Sequence, residues 1–325
     1  MKYKKVGRYF LSLLNFIIPK YNQVIIEGSP SAESSAVEIA KQINSSYKLP
    51  IYFIDKGGEQ SLGKLLPKDI NIISRGSLWF FWYYFRSKYV FFTHGTFLNF
   101  YPQEQKIVNV WHGVFYKNIG RLLGQNGLDA DITVATSEMT KKMFVEAFGV
   151  SKEKIIISSY PRNDTLIKSY KKKKDIKERV GLSDYKEILI WLPTYRKSVS
   201  GNIRSDGIEA GNPFNVVNFR IDAFNQLLVD NNTLCILKPH PMAPDYNQES
   251  LSNIWIIDDN WITDFGITLY HLLGCSDILI SDLSSVMVDY LLIDNPIICY
   301  CSDLKEYKRT RGLYFNDIER WVPSK

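Results

Sequence analysis

The sequence is poor in the residues that build disulfide frameworks and metal sites. Its 325 residues include only four cysteines, whose spacing matches neither a zinc site nor the disulfide framework of a secreted domain: Cys235, Cys275, Cys299 and Cys301. No pair or cluster of carboxylates has the spacing typical of a divalent-cation site. We therefore expect a protein of the reducing cytoplasm that works without a metal ion or another cofactor.

The sequence also lacks a hydrophobic run of the roughly 20 residues that a membrane-spanning helix needs. No small-residue cleavage site precedes Pro19, so a signal peptide is not indicated. Residues 1–20 instead predict a basic amphipathic helix, with polar residues on one side (Lys4, Arg8, Ser12 and Asn15) and apolar residues on the other (Val6, Phe10, Leu13, Leu14 and Ile17). Such a helix either lies on an anionic membrane surface or packs on its own domain with a solvated basic face.

The excess of positive charge is modest, with 40 Lys and Arg against 34 Asp and Glu, a formal net charge of +6. The basic residues are scattered and no nucleic-acid-binding motif is present, so we expect no nucleic-acid partner. The length and a hydrophobic content of 45% are sufficient for a full core and favour two domains. The oligomeric state is left open.

Strand and helix patterns alternate along both halves of the chain, which predicts parallel sheets. The charged run LIKSYKKKKDIKERVG, Leu166 to Gly181, interrupts the alternation and is the best candidate for an interdomain connection. We predict an amphipathic helix over 1–20, a first Rossmann-like domain over 21–167, a linker over 168–181 and a second Rossmann-like domain over 182–325. The aromatic run LWFFWYYF, Leu78 to Phe85, could be core or a lipid-facing surface, and core is expected because a strand follows it directly.

The stretch from Cys275 to Tyr300 predicts a strand-helix-strand unit. A short strand at Ile278 to Ile280 precedes residues whose side chains cap helices, namely Asp282, Ser284 and Ser285. The helix is expected over about Ser285 to Ile293, and the second strand over Ile297 to Tyr300. In such a unit the N-terminus of the helix lies at the carboxyl edge of the sheet, where a phosphate group is favoured.

Five stretches together resemble the CDP-glycerol glycerophosphotransferase family, whose members prime and extend teichoic acids. They occur in the family's order: NVWHGVFYKNIG from Asn109, SYPRNDTL from Ser159, ILIWLPTYR from Ile188, LKPHP from Leu237, and ISDLSSVMVDYLLIDNPIICY from Ile280 with RGLYF from Arg311. The chain departs from the family pattern at Val114-Phe115, where Thr-Pro is usual, at Leu283, where Tyr is usual, and at Ser159-Tyr160, where a Gly often stands. These departures concern the choice of acceptor more than the family.

The resemblance implies an α/β fold of two Rossmann-like domains facing a central cleft, the GT-B architecture, with the N-terminal amphipathic helix added. It implies a catalytic role for two histidines, His112 as general base and His240 at a phosphate or the leaving group. The donor phosphates are expected to bind at Ser284, Ser285 and Arg311, with Thr194 and Arg196 as further candidates. A cleft position without an assigned role is expected for Arg162, Asn163, Asp164 and Asp282. His94 matches nothing in the family pattern, and His271 is predicted to lie in the helix before the Ile278 strand; both are expected to be structural.

The implied reaction is transfer of glycerol phosphate from CDP-glycerol to a lipid-linked saccharide, with release of CMP, at the cytoplasmic face of the membrane. The absence of a large extra domain favours the priming step. Two alternatives remain open: a transferase of the same fold that uses CDP-ribitol or a nucleotide sugar, and a non-catalytic protein that binds a membrane surface or a polymer.

Overall fold

The computed structural model describes residues 2–57, 62–125, 127–128, 130–199 and 205–322, and for residues 2–6 it describes the backbone alone. The chain divides into two compact units. Unit 1 comprises Met1–His112, Ile119–Arg162 and Gly266–Thr268, and unit 2 comprises Gly113–Asn118, Asn163–Phe265 and Leu269–Lys325. Each unit is built around one parallel sheet, which confirms the predicted fold class.

Unit 1 contains a seven-stranded sheet, all of whose neighbouring strands run parallel, in the order β3-β2-β1-β4-β5-β6-β7. The strands are β1 Tyr21–Glu27, β2 Ile51–Asp55, β3 Asn71–Ser74, β4 Ser87–Phe92, β5 Lys106–Asn109, β6 Ile132–Ala135 and β7 Ile155–Ile157. The helices are α1 Lys2–Ile17, α2 Ser34–Tyr47, α3 Leu62–Leu65, α4 Leu78–Arg86 and α5 Glu138–Phe148, with short 3-10 turns at Gly120–Leu123 and Lys152–Lys154.

Unit 2 contains a five-stranded parallel sheet in the order β10-β9-β8-β11-β12. The strands are β8 Glu187–Leu192, β9 Thr233–Leu237, β10 Ile254–Ile256, β11 Ile278–Ser281 and β12 Ile297–Cys299. The helices are α6 Pro161–Lys171, which begins in unit 1, α7 Lys173–Arg179, α8 Ile221–Asp230, α9 Asp259–Asp264, α10 Leu269–Cys275, α11 Val286–Tyr290 and α12 Leu304–Arg311, with 3-10 turns at Leu291–Ile293 and Ile318–Arg320.

Residues 168–181, predicted to connect the domains, form the end of α6 and the whole of α7, and both stretches belong to unit 2. Lys173 on α7 forms an ion pair with Asp277, which directly precedes β11. Gly274 on α10 lies so close to α6 that an added Cβ atom would stand 2.5 Å from the Cβ atom of Ser169. The charged run therefore forms the end of α6 and all of α7. These helices are held on unit 2 by the close approach of Gly274 and by the ion pair of Lys173. A run of lysines does not indicate this structural role.

The predicted amphipathic helix forms as α1, but two residues of its predicted polar face, Ser12 and Asn15, are turned inward, whereas Arg8 is exposed. Ser12 and Asn15 are fully buried: Ser12 accepts a hydrogen bond from the backbone N–H of Asn99 (3.1 Å), and Asn15 donates one to the side chain of Gln105 (2.8 Å). The apolar side chains Phe10 and Ile17 are 64% and 77% exposed. Because polar groups on the buried face are hydrogen-bonded, the apolar face can remain outside without breaking the fold.

The aromatic helix α4 is only in part the core element that the sequence predicts. Phe80, Tyr84 and Phe85 are buried in the core cluster against which the partly buried Leu11 and Leu14 of α1 also pack. The opposite side of α4 is exposed, at Leu78, Trp79 and Trp82. Ser77 caps the helix by accepting a hydrogen bond from the backbone N–H of Phe80 at 3.2 Å.

Candidate active site

The strand order in each sheet reverses at one point, and polar side chains gather there. In unit 1 the reversal lies between β1 and β4, which end at Glu27 and Phe92, and in unit 2 it lies between β8 and β11, which end at Leu192 and Ser281. Crevices at the carboxyl ends of strands beside such a reversal are the usual ligand sites of parallel sheets. The residues that follow these four strands include the predicted site residues Thr194 and Asp282.

His112 follows β5 and is held in one tautomer by the main chain. Its Nδ1 atom lies 2.8 Å from the carbonyl oxygen of Thr93. A carbonyl oxygen can only accept a hydrogen bond, so Nδ1 carries the proton of the neutral ring and Nε2 is the basic nitrogen. This is the arrangement that a general base requires.

The backbone before His112 has an unusual conformation. Trp111 has a φ of 54°, in the left-handed region that bulky residues seldom adopt, and its N–H donates to the side-chain oxygen of Asn109 (3.0 Å). The indole ring packs against Phe148, with ring centres 4.6 Å apart, and against the imidazole of His112, at 4.2 Å. These contacts stabilise a turn that fixes the direction of the His112 side chain.

His94, expected to be structural, lies directly beside His112. The two imidazole centres are 4.9 Å apart, and the His94 ring is nearly parallel to the indole of Trp111 at 5.8 Å. Desolvation of its imidazole ring lowers the pKa of His94, and the positive charge of Lys56 lowers it further. A neutral His94 adds no positive charge beside His112.

A buried carboxylate anchors two basic side chains at the same edge of the unit 1 sheet. Glu27, at the end of β1, lies 2.6 Å from the Arg75 guanidinium and 3.3 Å from the Lys56 ammonium. Arg75 and Lys56 follow β3 and β2, respectively. The three members of this group are far apart along the chain, so no local sequence pattern indicates it.

In unit 2, three predicted site residues form one buried network. Arg196, which is 1% exposed, donates to Asp282 at 2.8 Å and in a bidentate manner to Asp303 at 2.7 and 2.9 Å. Thr194 donates to both oxygens of Asp282, through its N–H at 2.9 Å and its hydroxyl at 2.6 Å. Asp282 therefore links the segments that follow β8 and β11 and does not cap α11, contrary to the prediction, because donors of Thr194 and Arg196 occupy its oxygens.

Ser284 and Ser285 stand before α11 as predicted, but the helix is shorter. It has five residues and continues as a 3-10 turn over Leu291–Ile293. Ser285 is the N-terminal cap residue, and its side chain forms no capping hydrogen bond. The Ser284 hydroxyl lies 3.5 Å from the N–H of Val286. Their role at a phosphate stays a prediction.

Arg311 ends α12 and is nearly buried, with its Nε atom 3.6 Å from a carboxylate oxygen of Asp206. Gly312 follows with a φ of 71°, and an added Cβ atom would stand 2.6 Å from the side chain of Asn118. Position 312 therefore requires glycine, both for the backbone conformation and for this close approach. The turn directs Arg311 into unit 2 and the following residues back along the Gly113–Asn118 segment.

His240 follows β9 and has the opposite tautomer to His112. Its Nδ1 atom accepts a hydrogen bond from the backbone N–H of Met242 at 3.1 Å, so the ring proton lies on Nε2. Burial lowers the pKa of His240 to about 3, and the positive charges of Lys117 and Lys238 act in the same direction. His240 is thus a neutral ring whose Nε2–H can donate a hydrogen bond to a phosphate oxygen.

A cavity of about 500 Å³ opens beside His240 in unit 2. Its lining comes from Pro213, the loop after β9, the end of β10 and the start of α9, and includes Lys238, Asp259 and Trp261. Lys238 and Asp259 form an ion pair at 2.9 Å, so this wall is polar but locally neutral. A cavity of this volume is in the range of those that hold a nucleotide-sized ligand.

The residues of the PRND motif have separate positions. Arg162 is buried in unit 1 and lies 3.4 Å from Glu33, the residue that caps α2. Asn163 is buried in unit 2, and Asp164 is exposed and lies 4.0 Å from Lys168. Among the described residues, no group of three or more His, Cys, Asp or Glu side chains is placed to hold a metal ion. Metal-free chemistry stays a prediction.

Comparison with known proteins places this geometry in one family. The chain is 32% identical over 242 residues to a teichoic acid glycerol-phosphate transferase of Staphylococcus aureus (strain NCTC 8325 / PS 47). The alignment covers 66% of this chain and 57% of the transferase. The chain is 27% identical to the ribitol-phosphate polymerase TarL of the same organism over 69% of this chain and 40% of the polymerase. The chain thus spans about half the length of these curated relatives.

Among solved structures, the wall teichoic acid polymerase TagF aligns with 100% of this chain and 81% of its own chain, with a TM-score of 0.74 and 20% identity. A variant of the same polymerase soaked with CDPG aligns with a TM-score of 0.75 at 18% identity, over 98% of this chain and 79% of its own. These likenesses establish a shared fold. A model of the CDP-glycerol:poly(glycerophosphate) glycerophosphotransferase family matches residues 9–325. The chain therefore belongs to that family.

Proposed function

We propose that this protein transfers glycerol phosphate from CDP-glycerol to a hydroxyl of a lipid-linked saccharide in teichoic acid synthesis, most simply as the priming step. The observation that carries the proposal is the tautomer of His112, whose Nδ1–H donates to the Thr93 carbonyl and whose Nε2 is thereby basic. The family match and the TagF structure soaked with CDPG support CDP-glycerol as the donor.

In the proposed reaction, Nε2 of His112 removes the proton of the acceptor hydroxyl as its oxygen attacks the phosphorus that carries glycerol. The new bond joins the acceptor oxygen to that phosphorus, and the bond from phosphorus to the bridging oxygen breaks. CMP leaves with the bridging oxygen and its electron pair, and the Nε2–H of His240 donates to a phosphate oxygen. Positioning and neutralisation of charge supply most of the rate in such transfers.

The acceptor is proposed to be presented by a membrane surface on which the protein docks peripherally, at its cytoplasmic face. Among the described residues, no helix is both long enough and apolar enough to cross a bilayer. The outward apolar face of α1 and the exposed side of α4 support docking, since these two helices pack on the same core cluster. Two tryptophans of α4 suit the interface of a bilayer, and Arg86, stacked 4.4 Å from the ring centre of Trp82, suits anionic head groups.

The direct test incubates the protein with CDP-glycerol and a synthetic lipid-linked disaccharide and follows the products by mass spectrometry. We expect the acceptor to gain one glycerol phosphate and CMP to appear in equal amount. Parallel reactions with CDP-ribitol and a UDP-sugar distinguish the alternative donors. If none of the donors is consumed while vesicle binding is strong, the protein is a membrane-surface or polymer-binding protein and the transferase proposal is wrong.

A further inference from the structure

Lys117 lies in the short segment Gly113–Asn118, which follows the catalytic candidate His112 along the chain and belongs to unit 2. It forms an isolated antiparallel bridge with Leu313. Two hydrogen bonds flank the bridge: the N–H of Asn118 donates to the Gly312 carbonyl at 3.1 Å, and the N–H of Tyr314 donates to the Tyr116 carbonyl at 2.7 Å. This pairing holds Lys117 beside the end of α12.

Two aromatic rings surround the ammonium group of Lys117. Its Nζ atom lies 5.5 Å from the ring centre of Tyr195 and 5.6 Å from that of Tyr307. The Tyr195 ring also contacts the imidazole of His240, with ring centres 4.8 Å apart. Tyr195 therefore connects Lys117 to the histidine that borders the 500 Å³ cavity.

The neighbouring cations of unit 2 each have a carboxylate. Arg196 binds Asp282 and Asp303, Lys238 binds Asp259 at 2.9 Å, and Arg311 lies 3.6 Å from Asp206. Within the residues that the structure describes, Lys117 has no carboxylate at ion-pair distance, and aromatic rings alone are its close partners. A partly buried ammonium without a counter-charge is costly unless a ligand supplies one.

We propose that Lys117 binds the diphosphate of the nucleotide donor, providing the positive charge that approaches the phosphates on the same side as the Nε2–H of His240. The identity of the ligand rests on the proposed function. The family motifs give Lys117 no assigned role.

The electrostatic surroundings of Lys117 give this inference a measurable signature. Burial lowers the pKa of Lys117 to about 8; Asp282 and Asp206 oppose this shift, and Arg311 and Arg196 add to it. His240 and Tyr307 stay neutral, since burial lowers the pKa of His240 and raises that of Tyr307. A bound diphosphate favours the charged ammonium, so binding near pH 8 draws about half a proton onto Lys117.

The test is titration calorimetry of the full chain with CDP-glycerol, CDP and CMP at pH 8, in two buffers of different ionisation enthalpy. We expect uptake of about half a proton with the two diphosphates and less with CMP. Lys117→Met should weaken binding of the diphosphates about 10- to 100-fold and abolish the uptake. Lys117→Arg should keep the affinity within a few-fold and also abolish the uptake, because arginine stays charged.

Lys305→Met, an exposed change on α12, is the matched control and should alter neither quantity. Lys117→Met should also melt no lower than the wild type at pH 6, since it removes a charge that burial disfavours. If it does not fold, the proton uptake of Lys117→Arg still decides. Unchanged affinity in Lys117→Met, or uptake that persists in Lys117→Arg, overturns the inference. If CDP binds with proton uptake that depends on Lys117 but CDP-glycerol does not bind, only the proposed function is wrong. If neither CDP nor CDP-glycerol binds, both the proposed function and the role of Lys117 are wrong.

Discussion

The backbone N–H of Met242 donates a hydrogen bond to Nδ1 of His240 at 3.1 Å. This contact fixes the ring proton on Nε2, whereas in His112 the Thr93 carbonyl fixes it on Nδ1. Two histidines that follow strands in the two units are thus prepared for different tasks, one to accept a proton and the other to donate a hydrogen bond. A main-chain group fixes each of the two tautomers.

The first prediction concerns the pH dependence of stability that His240 creates. An unfolded chain protonates this histidine near its ordinary pKa of 6.5, whereas the folded chain does so only near about 3. Between these pH values only the unfolded chain binds the proton, so the free energy of unfolding falls as the pH decreases from 6.5. In His240→Asn, the loss of stability between pH 7 and pH 4.5 should be smaller by about 2–3 kcal/mol. Urea unfolding at the two pH values measures it, and an equal loss in both proteins contradicts it.

The second prediction concerns His112 as the base. His112→Gln keeps a hydrogen-bonding side chain but has no nitrogen that accepts a proton near neutral pH. We expect turnover to fall by about a hundred- to ten-thousand-fold while the affinity for CDP-glycerol is retained. The measurements are CMP release at saturating donor and acceptor, and calorimetry with CDP-glycerol. Near-normal turnover would transfer the role of base to another group, and His94, 4.9 Å away between ring centres, would be examined first.

The third prediction separates the structural cation of unit 2 from the ligand-binding ones. Arg196→Ala would leave Asp282 and Asp303 buried without their partner, which should cost about 3–5 kcal/mol of stability. Burial by itself raises the pKa of Asp303, but hydrogen bonds from Arg196 and the Ile208 N–H hold that pKa below its usual range. Denaturant unfolding measures the loss. Arg309→Ala, an exposed change on α12, is the control and should not move the midpoint. An unchanged midpoint for Arg196→Ala would refute the structural role.

The fourth prediction concerns the outward face of α1. Replacing Phe10, Leu13 and Ile17 together by serine should lower sedimentation with anionic phospholipid vesicles by at least about tenfold, because these side chains supply apolar area for the bilayer. Their exposure means that thermal unfolding should be unaffected. Tyr47→Ser, at an exposed apolar position at the end of α2, is the control and should bind vesicles normally. Sedimentation that is unchanged in the triple variant would show that lipid does not cover this face.

Periodicity was sufficient to predict most strands and both parallel sheets, because alternating apolar runs and helix patterns are local signals. It could not predict which face of α1 is buried. The amphipathic pattern of that helix is correct, but the inward direction of its polar side depends on Asn99 and Gln105, about ninety residues away along the chain. Point substitutions are therefore better tests than removal of the helix, since removal would uncover Phe80 and Phe85.

The resemblance to the family motifs was enough to identify His112, His240 and Arg311 as candidates, and the positions of the two histidines after strands agreed with it. Sequence alone could not separate Arg196, which a buried network occupies, from Lys117, which lies in the NVWHGVFYKNIG motif without an assigned role. Both are basic residues, and the difference lies in their carboxylate partners: Arg196 contacts Asp282 and Asp303, which lie 86 and 107 positions further along the chain. Tautomers were likewise inaccessible, because they depend on single backbone groups.

The hydrogen bond between Asn15 and Gln105 limits the distance between helix α1 and the proposed base, His112. Gln105 directly precedes β5, and His112, which follows β5, is seven residues after Gln105. A fully extended chain of seven residues spans at most about 23 Å. If a bilayer docks on α1, the backbone of His112 therefore lies within about 23 Å of Gln105, on which α1 packs. An acceptor would be selected by the length of its soluble part, since a hydroxyl too near the lipid or too far from it would miss His112.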